Sequence, residues 1–234
     1  MSSLFAAIML ALQTPAASPP PPPLSEQARA LIAPVAEALA AEEARQAALP
    51  PPASDRERLE RMGALDQVGR RALNPIDLTV LPEAERAAAN TAMWTPLMAM
   101  DDRLLAEVLP MVPAEGWFRK SVYGEKAASA AFLIIQHSDV EQWRRFVPVL
   151  EPLVETGEIN GSQYGLMYDR LAVNEGRPQR YGTQMTCKAG KWVIDRENLE
   201  DPENADARRA AIGFHGTLAE YEAIFANHPP CTED

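Results

Sequence analysis

The chain has 234 residues, of which 47% are hydrophobic and 24% are charged, an ordinary composition for a globular protein. This length allows one generous domain, or one domain with an appendage. The formal net charge is −11, the sequence pI is ≈ 4.8, and no run of Lys or Arg is longer than two residues. This charge balance argues against nucleic acid and against anionic membrane surfaces as partners.

The first 17 residues have the pattern of a secretory signal peptide. Leu4 to Leu12 is an apolar run of nine residues, and small residues follow it, as they do at a cleavage site near Ala16 or Ala17. A helix that crosses a bilayer needs about 20 residues, so this run is too short to span one. We therefore expect residues 1–17 to be removed, leaving a periplasmic or secreted bacterial protein without a transmembrane helix. The alternative is an uncleaved N-terminal segment that packs on the protein.

Both cysteines, Cys187 and Cys231, lie in the C-terminal quarter of the chain. An even pair in an oxidising compartment can form one disulfide, which here would tie the tail 229–234 to a loop or strand. Two unrelated thiols are the alternative, because the sequence does not give the distance between them.

Residues 18–53 have the composition of a Pro- and Ala-rich linker that includes an N-terminal helix. Five consecutive prolines predict a stiff, extended spacer. A helix then follows over Ser25–Leu49, capped by Ser25 and stopped by a second group of prolines. Because its apolar stripe is modest, we expect this helix to pack loosely on the domain formed by residues 54–228.

That domain is predicted to be mainly helical, a single multi-helix unit with a small β-hairpin near its C-terminal third. Apolar residues recur at helical spacing in seven further segments, and Pro96 predicts a kink or a break in the second of them. The expected helices are Asp55–Leu73, Leu81–Val112, Ala127–Ile135, Val140–Val154, Ser162–Asn174, Pro202–Phe214 and Thr217–Asn227, and the expected strands are Thr183–Cys187 and Lys191–Ile194.

Polar residues in apolar settings are concentrated in three places between residues 127 and 184, and we expect these places to form one site. The first place is Gln136-His137, at the end of a helix that is apolar on every face. His137 is there either as a general acid/base or as a hydrogen-bonded structural residue. Asp139 is predicted to cap the helix that follows.

The second place is the pair Asp169-Arg170, which lies between two apolar faces of one helix. Because an unpaired buried charge is costly, both residues must pair internally or bind a ligand. Upstream, Asp66 and Gln67 lie on a partly buried helical face, with Arg70 spaced for an ion pair with Asp66. The third place is a loop rich in hydrogen-bonding groups, which are Gln179, Arg180, Tyr181, Thr183 and Gln184.

A metal site is not expected, and neither is any other cofactor. Asp101 and Asp102 are adjacent, and adjacent side chains on a helix diverge by about 100°, so the pair is interpreted as a helix cap rather than as metal ligands. The chain has three His in all. The candidate metal ligands are His137, Asp139, Asp66 and Asp169.

Taken in order, these blocks resemble a bacterial family of unknown function that is recognised by a Gln-His-x-Asp block and a later Gln-x-Tyr-Gly-Thr-Gln block. The resemblance extends from about Leu59 to Tyr221 and implies a helical domain, but it brings no established activity. The matching residues are Leu65-Asp66-Gln67 with Arg70, Gly116-Trp117, Gln136-His137-Ser138-Asp139, Asp169-Arg170, Gln179-Arg180-Tyr181-Gly182-Thr183-Gln184, and Arg208-Arg209 with Gly213.

Three functions remain open at this point, because the familiar catalytic motifs of serine hydrolases, zinc peptidases and nucleotide-binding proteins are absent. The first is a hydrolase-like enzyme for a cell-envelope or peptide substrate, in which His137 is the general acid/base and Asp66 or Asp169 orients it. The second is a binding module for a small polar ligand or peptide. The third is a structural network in a protein that binds partners through its N-terminal arm.

The enzymatic hypothesis assigns Arg70, Arg170 and Gln184 to an anionic or amide-bearing substrate. It requires that His137 can be reached from solvent in a cleft and has a carboxylate at hydrogen-bond distance. The whole set of expected ligand contacts is Gln67, Arg70, Gln136, Arg170, Gln179, Tyr181, Thr183 and Gln184.

Overall fold

The computed structural model describes residues 23–227 and Cys231, so the expected signal peptide and most of the tail 229–234 lie outside the described residues. Within them the chain forms nine α-helices and one antiparallel pair of strands, which confirms the expected mainly helical fold with a small hairpin. The elements are α1 (Glu26–Ala47), α2 (Asp55–Leu73), α3 (Glu83–Val108), α4 (Lys120–Tyr123), α5 (Glu125–Gln136), α6 (Val140–Glu155), α7 (Gly161–Asn174), β1 (Met185–Lys188), β2 (Lys191–Ile194), α8 (Ala205–Ala211) and α9 (Leu218–Ile224).

Helix α5 lies at the centre of the fold, as its continuously apolar sequence predicts. Eight of its 12 residues are buried, and α2, α3 and α6 pack around it. Its last residue, Gln136, is buried as well, and His137 follows directly as the C-cap. A rigid, enclosed helix therefore fixes the position from which the His137 side chain extends.

Helices α2 and α5 cross closely because two small residues face each other at the crossing. A Cβ atom added at Gly63 would lie only 2.5 Å from the Cβ atom of Ala130. Asp66 lies about one turn beyond Gly63 on α2, and His137 lies at the end of α5. The close crossing is what allows these two side chains to meet.

Helix α3 runs without a break through Pro96 and packs against α1, α2 and α5. Its buried stripe continues the helical period on both sides of the proline, so core packing holds the helix together there. Met98 lies off this stripe and is 62% exposed. No helix in the described part of the chain is both long enough and apolar enough to cross a bilayer.

The expectation of loose packing for the N-terminal helix is wrong. Val35 and Leu39 of α1 are buried in the main core, and Leu39 packs closely over Gly69 of α2. The missing side chain at Gly69 lets α1 approach, a contact that the modest stripe of α1 did not indicate. The capping prediction is confirmed, because the Ser25 hydroxyl accepts a hydrogen bond from the Ala28 amide at 3.1 Å.

The C-terminal third differs from the prediction in its details. Asn160 caps α7 in place of Ser162, with the Asn160 side chain accepting from the Ser162 amide. Strand β1 begins two residues later than expected, at Met185, because the preceding amides bond to side chains instead of to a partner strand. Cys187 and Cys231 form a disulfide, which joins β1 to the tail.

The α2–α5 crossing generates a test. A Gly→Ala change inside an exposed helix normally stabilises it by about 1 kcal/mol. We expect Gly63→Ala to do the opposite and to lower the free energy of unfolding by about 1–3 kcal/mol, because the added methyl group collides with Ala130. Urea denaturation measures the change, and an increase in stability would contradict the close crossing.

Candidate functional site

Three helices bring one side chain each to a common point beside the end of α5. Asp66 comes from α2, Asp101 from α3, and His137 from the C-cap of α5. One potential ligand atom of each of these residues lies within 4.8 Å of those of the other two. The enzymatic hypothesis required a carboxylate beside His137, and Asp66 provides it.

The contact between Asp66 and His137 is a hydrogen bond of 2.7 Å between Oδ1 and Nδ1. Asp66 is fully buried, and Gln67 donates to its other oxygen from Nε2 at 2.7 Å. Burial alone would raise the pKa of Asp66, but the hydrogen bond from His137 and the charge of Arg70 outweigh it and hold that pKa below its ordinary value. Asp66 is therefore a carboxylate near neutral pH.

The ionised state of Asp66 determines which nitrogen of His137 carries the proton. A carboxylate can only accept hydrogen bonds, so Nδ1 of His137 must be the donor. In the neutral imidazole this leaves the lone pair on Nε2, which forms no hydrogen bond within the described residues. The His137 side chain is 16% exposed, so solvent can reach it. This arrangement is the one that a general base needs.

Arg70 links the dyad of Asp66 and His137 to α3. Its Nη2 atom donates to both carboxylate oxygens of Asp101, at 2.9 and 2.7 Å, and its Nη1 atom donates to the Asp66 carbonyl at 2.9 Å. The expected ion pair with Asp66 is the longer contact, at 3.4 Å. Burial raises the pKa of Asp101 even though Arg70 holds both of its oxygens.

The end of α5 that carries His137 is held by side chains that bond to its last carbonyls. Arg170 donates to the Gln136 carbonyl from Nη1 at 2.9 Å, and Trp143 donates to the same carbonyl at 3.2 Å. Ser138 donates from its hydroxyl to the Ile135 carbonyl at 2.6 Å. These contacts give the buried helix end the partners it needs and restrict the movement of His137.

A cleft of about 200 Å³ opens beside His137. One wall is a face of α3, and the other is the turn between α5 and α6. The lining residues are Met98, Asp101, Asp102, Leu105, His137, Ser138 and Asp139. His137 is thus accessible in a cleft, as the enzymatic hypothesis requires.

Asp66, Asp101 and His137 are residue types that bind metals, but their environment fits an acid–base site better. Arg70 already places a positive charge against both oxygens of Asp101, and His137 and Gln67 each hold one oxygen of Asp66. A cation at this point would compete with the guanidinium for the same carboxylate. The two remaining candidate metal ligands have structural roles. Asp139 caps α6, and Asp169 binds backbone amides of a loop.

The sequence allowed either Asp66 or Asp169 to orient His137, but Asp169 does not form a hydrogen bond to His137. Its carboxylate is buried and accepts backbone amides of Arg180, Tyr181 and Thr183, at 2.7 to 3.2 Å. Burial raises the pKa of Asp169, and these backbone amides oppose that effect because they favour the charged form. Asp169 thus fixes the loop that follows α7.

The same loop satisfies most of its own polar groups. The Gln179 side chain accepts from the Gln184 amide at 2.8 Å and donates to the Gln184 carbonyl at 2.9 Å. Gln184 donates in turn to the Thr183 hydroxyl at 3.0 Å, and Tyr221 donates to the Thr183 carbonyl. Tyr181 lies in an aromatic cluster. The sequence predicts ligand contacts for these residues; in the structure the side chains of Gln179, Thr183 and Gln184 form hydrogen bonds within the loop, and Tyr181 packs against aromatic rings.

Sequence reasoning missed the contribution of α3. Asp101 and Asp102 lie inside α3 rather than at a cap, so that interpretation is wrong. A signal was present, because residues 98, 101, 102 and 105 have the spacing of one helical face. That face combines polar and apolar residues and lies off the buried stripe of α3.

The model of a family of unknown function, DUF6624, matches residues 78–228, which is more than half of the chain, and the chain therefore belongs to that family. The match includes Asp101, His137 and the Asp169 loop. It begins after Asp66, whereas the resemblance was expected from Leu59 onward. No curated protein and no solved structure matches this chain.

The role of Asp169 can be tested by Asp169→Asn. The amide group replaces an acceptor oxygen with a donor that faces backbone N–H groups, so we expect the free energy of unfolding to fall by about 2–3 kcal/mol. Asp102→Asn is the matched control, because Asp102 is exposed, and a change within about 0.5 kcal/mol is expected there. Equal stability of both variants would show that the loop does not depend on this carboxylate.

Proposed function

We propose that this member of the DUF6624 family is an exported, hydrolase-type enzyme in which His137 acts first as general base and then as general acid. The observation that carries the proposal is the 2.7 Å hydrogen bond from His137 to the buried carboxylate of Asp66, at the edge of a cleft. A carboxylate in this position fixes both the tautomer and the orientation of the imidazole.

Water is the nucleophile in this proposal. Ser138 has the only hydroxyl among the described residues that line the cleft, and that hydroxyl donates to the Ile135 carbonyl. Nε2 of neutral His137 takes a proton from water, and the resulting hydroxide attacks the carbonyl carbon of an amide. The carbon–nitrogen bond then breaks as the imidazolium returns its proton to the leaving nitrogen, so His137 is neutral again at the end.

The positive charge that forms on His137 during this reaction has a prepared partner. Asp66 is buried, ionised and held from three sides, by His137, Gln67 and Arg70. A buried carboxylate stabilises an adjacent imidazolium more than an exposed one would, because solvent screens it less. The same three contacts keep the carboxylate from rotating away between turnovers.

The proposed substrates are amides of peptides or of cell-envelope polymers. The disulfide between Cys187 and Cys231 supports an oxidising compartment, where such bonds persist. The N-terminal signal pattern supports the same location. The cleft is small, at about 200 Å³, so it accommodates the reacting part of a polymer and not a long stretch of it.

Non-catalytic ligand binding is the second candidate, and a separate groove favours it. This groove, of about 520 Å³, lies between α2 and α5, and small residues such as Gly63, Ala64 and Ala130 line it. Its volume is within the range of small-molecule sites, about 300–1,000 Å³. Gln67 lines the groove and also donates to Asp66, so a ligand there would contact a residue that supports His137.

The enzymatic proposal is tested by incubating the disulfide-bonded protein with a peptide library and with cell-wall fragments. Mass spectrometry detects products that have gained one water. We expect His137→Ala to slow this hydrolysis by about 10²–10⁴-fold, the usual contribution of a general acid/base. Asp66→Asn should cause a loss of similar size, because the amide permits the wrong tautomer.

His215→Ala is the matched control, because His215 is exposed. This substitution removes the same side chain at a different place in the protein. Its hydrolysis rate should equal that of the unmodified protein. A chelator should have no effect either. Three results would contradict the proposal. They are hydrolysis that persists in His137→Ala, loss of hydrolysis on adding a chelator, and no hydrolysis of any substrate.

A further inference from the structure

We propose that the cleft beside His137 accepts substrates that carry a positively charged amino group, and that Asp102 selects them. This inference rests on the proposed function, since it concerns the same cleft. It names the charge class of the substrate, which the dyad of Asp66 and His137 does not determine. The sequence predicts an anionic or amide-bearing substrate held by Arg70, Arg170 and Gln184; the inference keeps the amide and replaces the anionic charge.

The two arginines are not available to a substrate in this cleft. Arg70 is bound to Asp101 and to the Asp66 carbonyl, and Arg170 is bound to the Gln136 carbonyl. Arg170 also lies over the ring of Trp143, at 5.5 Å from its centroid. Neither arginine lines the cleft, and no lysine does among the described residues. An anionic substrate would find no cation there.

The carboxylates that line the cleft differ in how far neighbouring groups compensate their negative charge. The charge of Asp101 is compensated by Arg70, whose Nη2 atom donates to both carboxylate oxygens. Among the described residues, the Asp139 carboxylate accepts one hydrogen bond, from the Gln142 backbone amide at 3.0 Å, as the cap of α6. The Asp102 side chain is exposed and has no hydrogen bond or ion pair within the described part of the chain. Two carboxylates therefore give the cleft a negative potential that attracts cations and repels anions.

Asp102 is better placed than Asp139 to select the substrate. The Asp139 side chain already has a structural role at the first turn of α6. Asp102 lies in the middle of α3, on the same face as Met98 and Leu105, one turn from each. A charged amino group at Asp102 would thus have apolar side chains on both sides of it.

The apolar residues indicate what accompanies the amino group. Met98 is 62% exposed and has an unbranched side chain, and Leu105 is partly buried on the same wall. A small apolar group can pack against them while a neighbouring carbonyl lies beside His137. An α-amino amide with a short apolar side chain combines these three features and is small enough for a cleft of about 200 Å³.

Three probes that differ in charge test the inference on the disulfide-bonded protein. Alanine amide is cationic, N-acetylalanine amide is neutral, and N-acetylalanine is anionic. The imidazole NMR signals of His137, identified by their loss in His137→Gln, report binding in the cleft. We expect alanine amide to shift these signals saturably and the anionic probe to leave them unchanged, with the neutral probe binding more weakly than alanine amide.

Asp102→Asn should weaken the binding of alanine amide about three- to fivefold, the size expected for an exposed charge pair. Glu115→Gln is the matched control, because Glu115 is exposed, lies outside the cleft and loses the same charge. Alanine amide should bind that variant as it binds the unmodified protein. Thermal unfolding of both variants checks that they are folded.

The inference is overturned if the neutral or the anionic probe binds as tightly as alanine amide, if no probe shifts the His137 signals, or if Asp102→Asn has no effect. Its failure can be separated from failure of the proposed function. Hydrolysis that requires His137 without any preference for cationic substrates would overturn the selection by Asp102 alone. Binding of alanine amide through Asp102, with hydrolysis that does not require His137, would overturn the enzymatic proposal alone.

Discussion

The hydrogen bond between Asp66 and His137 is the interaction on which the rest of this site depends. It joins α2 to the end of α5, and it exists because Gly63 and Ala130 let the two helices cross closely. A buried carboxylate is stable only with partners, and each partner of Asp66 extends the network. Through Arg70 the network reaches Asp101 on α3, so the group that orients the imidazole also ties three helices together. Packing and proposed chemistry therefore share the same contacts.

A second polar network lies around Asp169, and its role is different. Asp169 binds backbone amides of the loop that follows α7, and Arg209, which is buried, donates to the Tyr181 carbonyl at 2.8 Å. Gly182 has a positive φ of 63°, and a Cβ atom there would lie 2.6 Å from Leu218. The Gln-x-Tyr-Gly-Thr-Gln block thus encodes the shape of a loop. Its polar side chains, together with Asp169, give partners to backbone amides inside the protein.

The features that the sequence predicted are those that local patterns determine. The apolar run of α5, the cap of α6 at Asp139 and the hairpin follow from residues close in the chain. From the sequence, either Asp66 or Asp169 could pair with His137. Only the crossing of α2 and α5 distinguishes these two alternatives. The contact between Arg70 and Asp101 joins residues 31 positions apart, and no local pattern indicates it. The packing of α1 likewise depends on Gly69 in another helix.

The tautomer of His137 tests the central claim most directly. Nitrogen NMR of the imidazole ring near neutral pH distinguishes a proton on Nδ1 from a proton on Nε2. An ionised Asp66 at 2.7 Å requires the proton on Nδ1 and leaves Nε2 free to act as a base. We therefore predict that neutral His137 carries its proton on Nδ1, and that Asp66→Asn removes this preference. A proton on Nε2 in the unmodified protein would contradict the account, because Nε2 of neutral His137 would then not be free to act as a base.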